Sequence, residues 1–537
     1  MVRRKKRNKG GIVLLSLIVL SIASMISGAT VFNQTGPANG GRDVVPVDCK
    51  INFLNEEILT NPTYNSVQLK MKSGEAADVY VEYGTLKKPF KERTETQSSS
   101  GPGHFTFELD KGLKAGKEYE YRVRCKATNE SEFGSRESHT FKTLKKGYDE
   151  TVKFAYATDS HIVNKVLKSW CDPNKKKNKL NMKTFNQSLK NMLNGDDYDF
   201  VFIGGDNAGT HNTNDAPCSN FPQYGSGSVK SPDEADLRYE LMLSQWDKIT
   251  DKLPLLYLLG NHEGESNYIQ GNESPKYGYH KDLWNLSRAA RLRHLPDPTE
   301  VYEGSSNSDL YYTFASGPVR IIVLDVMAGN DDLPVVETWT LGTEQKTWLK
   351  GVLERSDEPW KIVFIEHLVG GHCGCSPGDL YNYGRGGLLA VDKGINGGNF
   401  SGEQEEIHRM MRDNGVQVFA KSHDHVAVAG EAVDNSGIGE GIYYVNGGQP
   451  TRGVQYGQDG WSDGTWIHQY YDYDGDGVGD FMSNVTGAAI PGFYRITANG
   501  RDNLTLEFLQ SNVVDPQFNN LPAYEFTIFP DGTSTLP

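Results

Sequence analysis

Apolar segments that end in polar residues recur five times between residues 154 and 425. Each segment has the length and composition of a buried strand, and Asp, His, Asn or Glu follows it within three residues. The five segments and their polar ends are Phe154–Thr158 with Asp159-Ser160-His161, Phe200–Ile203 with Gly204-Gly205-Asp206-Asn207, Leu255–Leu259 with Gly260-Asn261-His262-Glu263, Ile362–Ile365 with Glu366-His367, and Val416–Ala420 with Lys421-Ser422-His423-Asp424-His425. Open α/β sheets place ligand sites at the carboxyl ends of their strands. We therefore expect these side chains to share one site.

The segments between these strands have helical spacing, which predicts an α/β domain with helices packed over sheets. The apolar positions of these helices are Met182, Phe185, Leu189 and Met192, then Met242, Trp246, Ile249 and Leu253, then Trp348 and Val352, and finally Ile407, Met410 and Met411. A hairpin with strands beginning near Gly492 and Leu504 is expected to complete the second sheet of this domain. The domain is predicted to span residues 150–537.

Residues 48–146 follow a different pattern, in which apolar residues alternate with polar ones. Val67, Leu69 and Met71 are one example, and turns rich in Gly and Asn separate such runs. This pattern predicts an all-β sandwich. The stretch Leu113–Val123 resembles the penultimate strand of fibronectin type III domains, which usually serve as spacers or binding surfaces.

Residues 1–29 have the composition of a targeting signal. Basic residues at 3–9 precede an uncharged apolar run over 11–26, and the small residues 27–29 offer a cleavage site. The uncharged region extends from Gly11 to Phe32, which is long enough to anchor the chain in a bilayer, so a cleaved signal peptide and an uncleaved anchor are alternatives. Both predict a secreted or cell-surface protein, and residues 30–47 then form a linker.

Cysteine content and charge bear on the compartment and on the partners. An even number of cysteines in an exported chain favours disulfides, without fixing which residues pair. The six are Cys49, Cys125, Cys171, Cys218, Cys373 and Cys375. A formal net charge of −14 excludes a predominantly nucleic-acid-binding surface, because phosphate backbones require clustered Lys and Arg. No nucleic-acid partner is expected, and a membrane is expected only if residues 1–29 stay attached.

Histidines are concentrated at the five strand ends, and this concentration indicates metal ions. One His after a strand is more often a satisfied or solvent-facing side chain. The chain has 13 His, however, and five of them share this placement: His161, His262, His367, His423 and His425. Converging carboxylates are costly to bury unless cations neutralise them. Imidazole and carboxylate oxygens suit Zn, Mn and Fe.

Asp206 has the features of a ligand shared by two cations. Metals about 3.5–4 Å apart repel each other unless an anion lies between them, and the glycines before Asp206 let its backbone approach closely. Residues i and i+2 of an extended segment lie on one side. The pairs that can present two ligands in this way are Asp159 with His161 and His423 with His425.

Taken together in chain order, these motifs resemble the calcineurin-type metallophosphoesterase family. The blocks that carry the resemblance are Asp159-x-His161, Gly205-Asp206, Gly260-Asn261-His262-Glu263, His367 and His423-x-His425. The preceding sandwich makes the chain similar to purple acid phosphatases, which carry a fibronectin-like N-terminal domain. The resemblance covers about residues 50–510 and implies a two-sheet αββα catalytic domain that hydrolyses phosphoric esters.

The resemblance also implies a role for each motif residue. It implies one metal held by Asp159, His161, Asp206 and His425, and a second held by Asp206, Asn261, His367 and His423. It implies that His262 contacts phosphate and acts as the general acid for the leaving oxygen, while a metal-bound water or hydroxide attacks in line.

The predicted substrate is a phosphorylated small molecule, and hydrolysis of phosphomonoesters is the favoured reaction. A phosphodiesterase or nucleotide pyrophosphatase is the alternative, because the same site supports it. A non-catalytic surface or adhesion protein is an alternative of another class.

The sequence departs from purple acid phosphatases in its metal-binding motifs. Those enzymes have Asp-x-Gly where this chain has Asp159-Ser160-His161, and their last block begins with Gly where this chain has Ser422. They also carry a Tyr ligand three residues after the bridging Asp, where this chain has Gly209. The presence of His161 instead of Gly, and of Gly209 instead of Tyr, predicts two divalent ions, Zn, Mn or Fe, and not an Fe(III)–tyrosinate centre.

Loops near the predicted site supply candidates for substrate contact. These candidates are Asn207, His211 and His372, and a solvent-facing loop His is an equal alternative for the two histidines. Polar insertions at 164–181 and 211–232 contain one cysteine each, which can tie them together over the site.

A separate motif at residues 472–483 resembles a calcium loop. Oxygen-bearing residues occupy positions one, three, five and nine, and Gly occupies position six. The candidate calcium ligands are Asp472, Asp474, Asp476 and Asp480. Position twelve is Ser483 rather than Glu, so a plain Gly/Asp turn between strands is the alternative.

Overall fold

The computed structural model describes most of the chain from residue 48 onward. The described residues are 48–194, 197–211, 221–224, 227–265, 282–305, 310–326, 341–367, 403–423, 425, 427–433, 439–451, 482–488 and 490–536. All of them belong to one compact unit, Val47–Pro537. None of the helices in these ranges is both long and apolar enough to cross a membrane.

Strands dominate the first third of the described chain, and strands alternate with helices after it. The strands are β1 (Ile58–Thr60), β2 (Val67–Ser73), β3 (Ala77–Thr85), β4 (Lys88–Arg93), β5 (Gln97–Ser99), β6 (Gly103–Leu109), β7 (Glu118–Ala127), β8 (Gly134–Lys142), β9 (Thr151–Ala157), β10 (Phe200–Ile203), β11 (Leu255–Tyr257), β12 (Glu303–Gly304), β13 (Tyr312–Ser316), β14 (Val319–Val323), β15 (Trp360–Ile365), β16 (Val418–Lys421), β17 (Ala427–Val433), β18 (Gly439–Asn446), β19 (Met482–Ala488), β20 (Gly492–Asn499), β21 (Asn503–Gln510) and β22 (Pro522–Ile528). The α-helices are α1 (Ile162–Cys171), α2 (Lys176–Leu193), α3 (Pro232–Thr250), α4 (Leu283–His294), α5 (Gly342–Arg355) and α6 (Glu403–Asp413).

A nine-stranded sheet carries the first three motif-bearing strands. Its order is β22-β21-β20-β9-β10-β11-β1-β2-β6. Strands β9, β10 and β11 are parallel, with Ala157 opposite Ile203 and Ile203 opposite Tyr257. Because the three strands are in register, the polar residues that follow them emerge side by side.

An eight-stranded sheet carries the other two motif-bearing strands. Its order is β12-β13-β14-β15-β16-β18-β17-β19. Strands β15 and β16 are parallel neighbours, with Ile365 opposite Lys421. This register brings the residues after β15 next to those after β16.

The two sheets face each other between layers of helices. Phe364 of β15 stacks on Phe202 of β10, with 4.4 Å between their ring centroids, in the core between the sheets. Val363 points to the opposite side of β15 and packs with Leu349 of α5 and Ile407 of α6. Helices α1 to α4 contribute apolar side chains to the core of the nine-stranded sheet. The predicted two-sheet αββα class is therefore confirmed.

The N-terminal sandwich shares a sheet with the catalytic part of the chain. Strands β3, β4, β5, β7 and β8 form a separate five-stranded sheet, whereas β1, β2 and β6 extend the nine-stranded sheet. The junction is a parallel pairing between β1 and β11, in which Thr60 lies opposite Leu255. Cys49 and Cys125 form a disulfide with a Cα–Cα distance of 5.6 Å, in line with the disulfides that the even number of cysteines favours.

One expectation about the catalytic part is corrected by the structure. The C-terminal hairpin β20–β21 was expected in the second sheet, which is the eight-stranded one, but it joins the nine-stranded sheet. Strand β20 pairs with β9 there, and Tyr494 lies opposite Tyr156. The insertion at 164–181 is largely helical, since α1 begins at Ile162 and α2 begins at Lys176. Cys171, at the end of α1, is disulfide-bonded, and Cys218 lies outside the described residues.

Candidate metal centre

An unusual backbone conformation marks the candidate site. Five motif residues have φ in the left-handed region, namely Asp159 (52°), His161 (43°), Asp206 (61°), His423 (74°) and His425 (64°). Each such residue costs about 1 kcal/mol relative to ordinary backbone, and such conformations cluster at functional sites. The turns after β9, β10 and β16 therefore adopt a conformation that local preference alone does not explain.

The first cluster contains Asp159, His161, Asp206 and His425. Their ligand atoms all lie within 4.8 Å of one another. His161 Nε2 lies 3.0 Å from His425 Nε2 and 3.7 Å from Asp206 Oδ2. His425 Nε2 lies 3.5 Å from Asp159 Oδ1. The chain thus gathers the four residues that were predicted for the first metal.

The donors of this cluster fit a divalent cation. Burial, together with the nearby His262 and His425, lowers the pKa of His161 well below its usual value. His161 is therefore neutral, which is the form in which imidazole binds a metal. Asp159 and Asp206 are buried, with exposures of 0% and 1%. Two carboxylates and two imidazoles in this arrangement suit Zn, Mn or Fe.

A second cluster shares Asp206 with the first. Ligand atoms of Asp206, Glu366 and His423 lie within 4.8 Å of one another. His423 Nδ1 is 2.9 Å from Asn261 Oδ1, and the His367 ring centroid is 4.4 Å from that of His423. The residues predicted for the second metal are thus neighbours, and Glu366 joins them.

Glu263 links two turns of the site through hydrogen bonds to their backbone. Its buried carboxylate accepts hydrogen bonds from the backbone N–H groups of Asp206, Asn207, Ala208 and Gly260, at 2.6–2.9 Å. These four bonds occupy the acceptor positions of the carboxylate. They join the turn after β10 to the turn after β11.

His262 faces outward more than the two histidines of the first cluster. Its side chain is 28% exposed, against 9% for His161 and 7% for His425. Its backbone N–H donates to Asp206 Oδ1 at 2.8 Å, and its Nε2 lies 3.8 Å from Asp206 Oδ2. The imidazole of His262 therefore lies beside Asp206 and remains partly exposed.

The candidate substrate residues have different surroundings. The His211 ring lies 5.5 Å from that of His262, and burial lowers the pKa of His211 to about 3. Its Nδ1 donates to the carbonyl of Asn261 at 3.0 Å. The amide of Asn207 donates to the carbonyls of Gly204 and Gly205 and accepts from the Ser160 hydroxyl, so it is used within the turn.

Several predicted residues fall outside the part of the chain that the structure describes. They are His372 and the candidate calcium ligands Asp472, Asp474, Asp476 and Asp480. Two residues that carry the local structure, Glu263 and Glu366, were given no role from the sequence. The available signal was their position, since each adjoins a motif histidine at a strand end.

The glycine at 205 is required by close packing. A Cβ added to Gly205 would lie 2.6 Å from Glu366 Oε2 and would also press on the backbone of Gly260. Gly205→Ala is expected to destabilise the protein by about 1–3 kcal/mol and to lower its metal content. Thermal melting and elemental analysis measure both effects. Gly101→Ala is the control, because a Cβ there meets nothing within 4 Å. Wild-type behaviour of Gly205→Ala would contradict the packing of these turns.

A four-layer α/β fold with buried carboxylate–imidazole clusters at its strand ends is the architecture of a metal-dependent phosphoric ester hydrolase. The chain belongs to the calcineurin-like phosphoesterase family, whose sequence model matches residues 152–427. This match confirms the predicted resemblance and the enzyme class.

Solved structures share the fold over most of the chain. A structure of PhoD is similar with a TM-score of 0.62 and 16% identity, covering 92% of each chain. The purple acid phosphatase PPD1 from yellow lupin (Lupinus luteus) seeds is similar with a TM-score of 0.54 and 14% identity. That likeness covers 88% of this chain and 74% of the lupin chain. No curated protein sequence matches this chain.

Proposed function

We propose that this protein is an exported phosphatase that hydrolyses phosphomonoesters at a centre holding two divalent ions. The observation that carries the proposal is the position of Asp206, which belongs to both clusters of potential ligand atoms. Asp159, His161 and His425 complete the first proposed ligand set. Asn261, His367 and His423 complete the second. When bound, two divalent ions polarise a phosphoryl group and lower the pKa of a bound water.

His262 is the proposed general acid. Among the site histidines compared above, it has the most open side chain, and its backbone bond to Asp206 fixes the turn that presents it. An imidazole in this place can hold a proton for the leaving oxygen of an ester. The neighbouring His211 is buried and uses its Nδ1 on a backbone carbonyl, which suits it to support the His262 turn rather than to give up that proton.

A panel of substrates tests the reaction class. The purified protein, loaded with Zn²⁺ or Mn²⁺, is assayed with a phosphomonoester, a phosphodiester and a nucleotide that offers a pyrophosphate bond. The proposal expects the highest kcat/KM for the monoester. Faster cleavage of the diester or of the pyrophosphate bond would replace it with the alternative reaction.

Export is proposed from the disulfides and from the N-terminal sequence. The bond between Cys49 and Cys125 and the oxidised state of Cys171 favour an oxidising compartment, because structural disulfides are rare in the cytosol. Fractionation of cells that express the full chain tests this, and recovery of the protein in the cytosol would contradict it.

The proposed metals give a colourless enzyme. Gly209 stands where a phenolate ligand would be needed, and the hydroxyl of Tyr156 is directed to the Lys421 carbonyl and the Ser422 hydroxyl. Burial raises the pKa of Tyr156 well above its usual value, so this phenol stays protonated. Chelators are expected to abolish activity, and divalent Zn, Mn or Fe to restore it. An intense visible band that disappears on reduction would show that a tyrosinate binds ferric iron.

A further inference from the structure

A fourth buried carboxylate lies against the proposed centre and has no role in the ligand sets given above. Glu366 follows β15 directly and is 1% exposed. One of its oxygens lies within 4.8 Å of ligand atoms of Asp206 and His423. A side chain in this place faces the position proposed for the second ion.

The hydrogen bonds of Glu366 leave part of its carboxylate without a partner. Oε2 accepts the backbone N–H of Gly205 at 3.1 Å. Oε1 is buried and has no hydrogen-bond partner among the described residues. A buried polar atom in this state costs free energy unless something compensates it.

The comparison with Glu263 separates two kinds of buried carboxylate in this site. Glu263 accepts four backbone N–H groups and has no acceptor position left for another ligand. Glu366 accepts one backbone N–H group at Oε2 and lies beside the Ser422 side chain. Its buried Oε1 makes no hydrogen bond to a described residue, and one of its oxygens lies within 4.8 Å of ligand atoms of Asp206 and His423. Glu263 therefore has the hydrogen bonds of a structural residue, whereas Glu366 has the free oxygen of a ligand.

We propose that Glu366 is a ligand of the second metal ion, alongside Asp206 and His423. This inference rests on the proposed two-ion function. Together with Asn261 and the two imidazoles of the second set, it gives the second position three oxygen donors, whereas the first position has two carboxylates and two imidazoles. Oxygen-rich positions favour Mn²⁺ over softer ions, and imidazole-rich ones suit Zn²⁺. The two positions therefore differ in metal preference, and Glu366 sets the preference of the second.

Glu366→Gln tests the proposal, because it keeps the shape of the side chain and an acceptor for Gly205 but removes the charge. Elemental analysis after dialysis against Mn²⁺ is expected to fall from about two ions per chain to about one, with a 10–100-fold weaker affinity for the second ion by calorimetry. The electron paramagnetic resonance spectrum of the Mn²⁺ form is expected to change from that of a coupled pair to that of a single ion.

Glu358→Gln is the matched control, since Glu358 is also buried but lies before β15 and pairs with Arg320. It is expected to keep both ions. Glu366→Asp provides a second variant if Glu366→Gln fails to fold, and it is expected to bind the second ion more weakly while keeping the first. Two ions bound by a folded Glu366 variant with wild-type affinity would overturn the proposal. A wild-type protein that binds fewer than two ions would instead overturn the proposed function.

Discussion

Asp206→Asn is expected to lower kcat/KM by about 10³-fold or more. Asp206 is the residue that both clusters share, and its Oδ2 lies 3.7 Å from His161 Nε2. Metal ions contribute several kcal/mol of charge stabilisation to phosphoryl transfer, and each 1.4 kcal/mol is a factor of ten in rate. An amide lacks the negative charge that holds two cations together, so bound metal is expected to fall from about two ions per chain to below one.

The control for this variant is Asp199→Asn. Asp199 immediately precedes β10 and is also buried, but it pairs with Lys145 at the opposite end of the strand from Asp206. Asp199→Asn is expected to keep its metals and its catalytic rate even if its melting temperature falls. An Asp206→Asn protein with two bound ions would show that Asp206 does not bridge them.

His262→Asn is expected to keep both metals and to lose about 10²–10⁴-fold in rate on esters with poor leaving groups. The loss should shrink for esters such as aryl phosphates, whose leaving oxygen needs less protonation. This dependence separates a general acid from a residue that only shapes the pocket. The measurements are kcat over a series of leaving groups and the metal content of each preparation.

His408→Asn is the control for His262→Asn. His408 is a buried histidine on α6 that bonds to Glu440 and Tyr444 away from the clusters. Its replacement should leave the leaving-group dependence unchanged. Equal losses across all leaving groups in His262→Asn would remove the general-acid assignment.

Local sequence patterns were sufficient to predict most of the strands and helices. Phe200–Ile203 is predicted with the bounds that the structure gives to β10, because a short apolar run between polar residues leaves little choice of ends. The first proposed ligand set is likewise gathered as predicted, since its four residues follow the carboxyl ends of β9, β10 and β16.

Long-range pairing could not be predicted in the same way. The hairpin of β20 and β21 has the same alternation whichever sheet it joins, and its partner β9 is more than 300 residues away in the chain. The role of Glu366 was hidden for a related reason. Its sequence position does not show which buried oxygens hydrogen bonds leave free, and that becomes visible only when Gly205 packs against it.

The pairing of β1 with β11 affects the solubility of truncated or proteolysed forms of the enzyme. Strand β1 pairs with the edge of β11, and β2 and β6 continue the sheet beyond it. Residues Leu255–Tyr257 of β11 are all apolar or aromatic and buried. A chain cut after the sandwich would expose that strand as a bare hydrogen-bonding edge, and such edges template aggregation. Residues 48–146 thus protect the edge of β11 from pairing with another chain. Proteolytic loss of this region would cause precipitation before it caused any change in substrate preference.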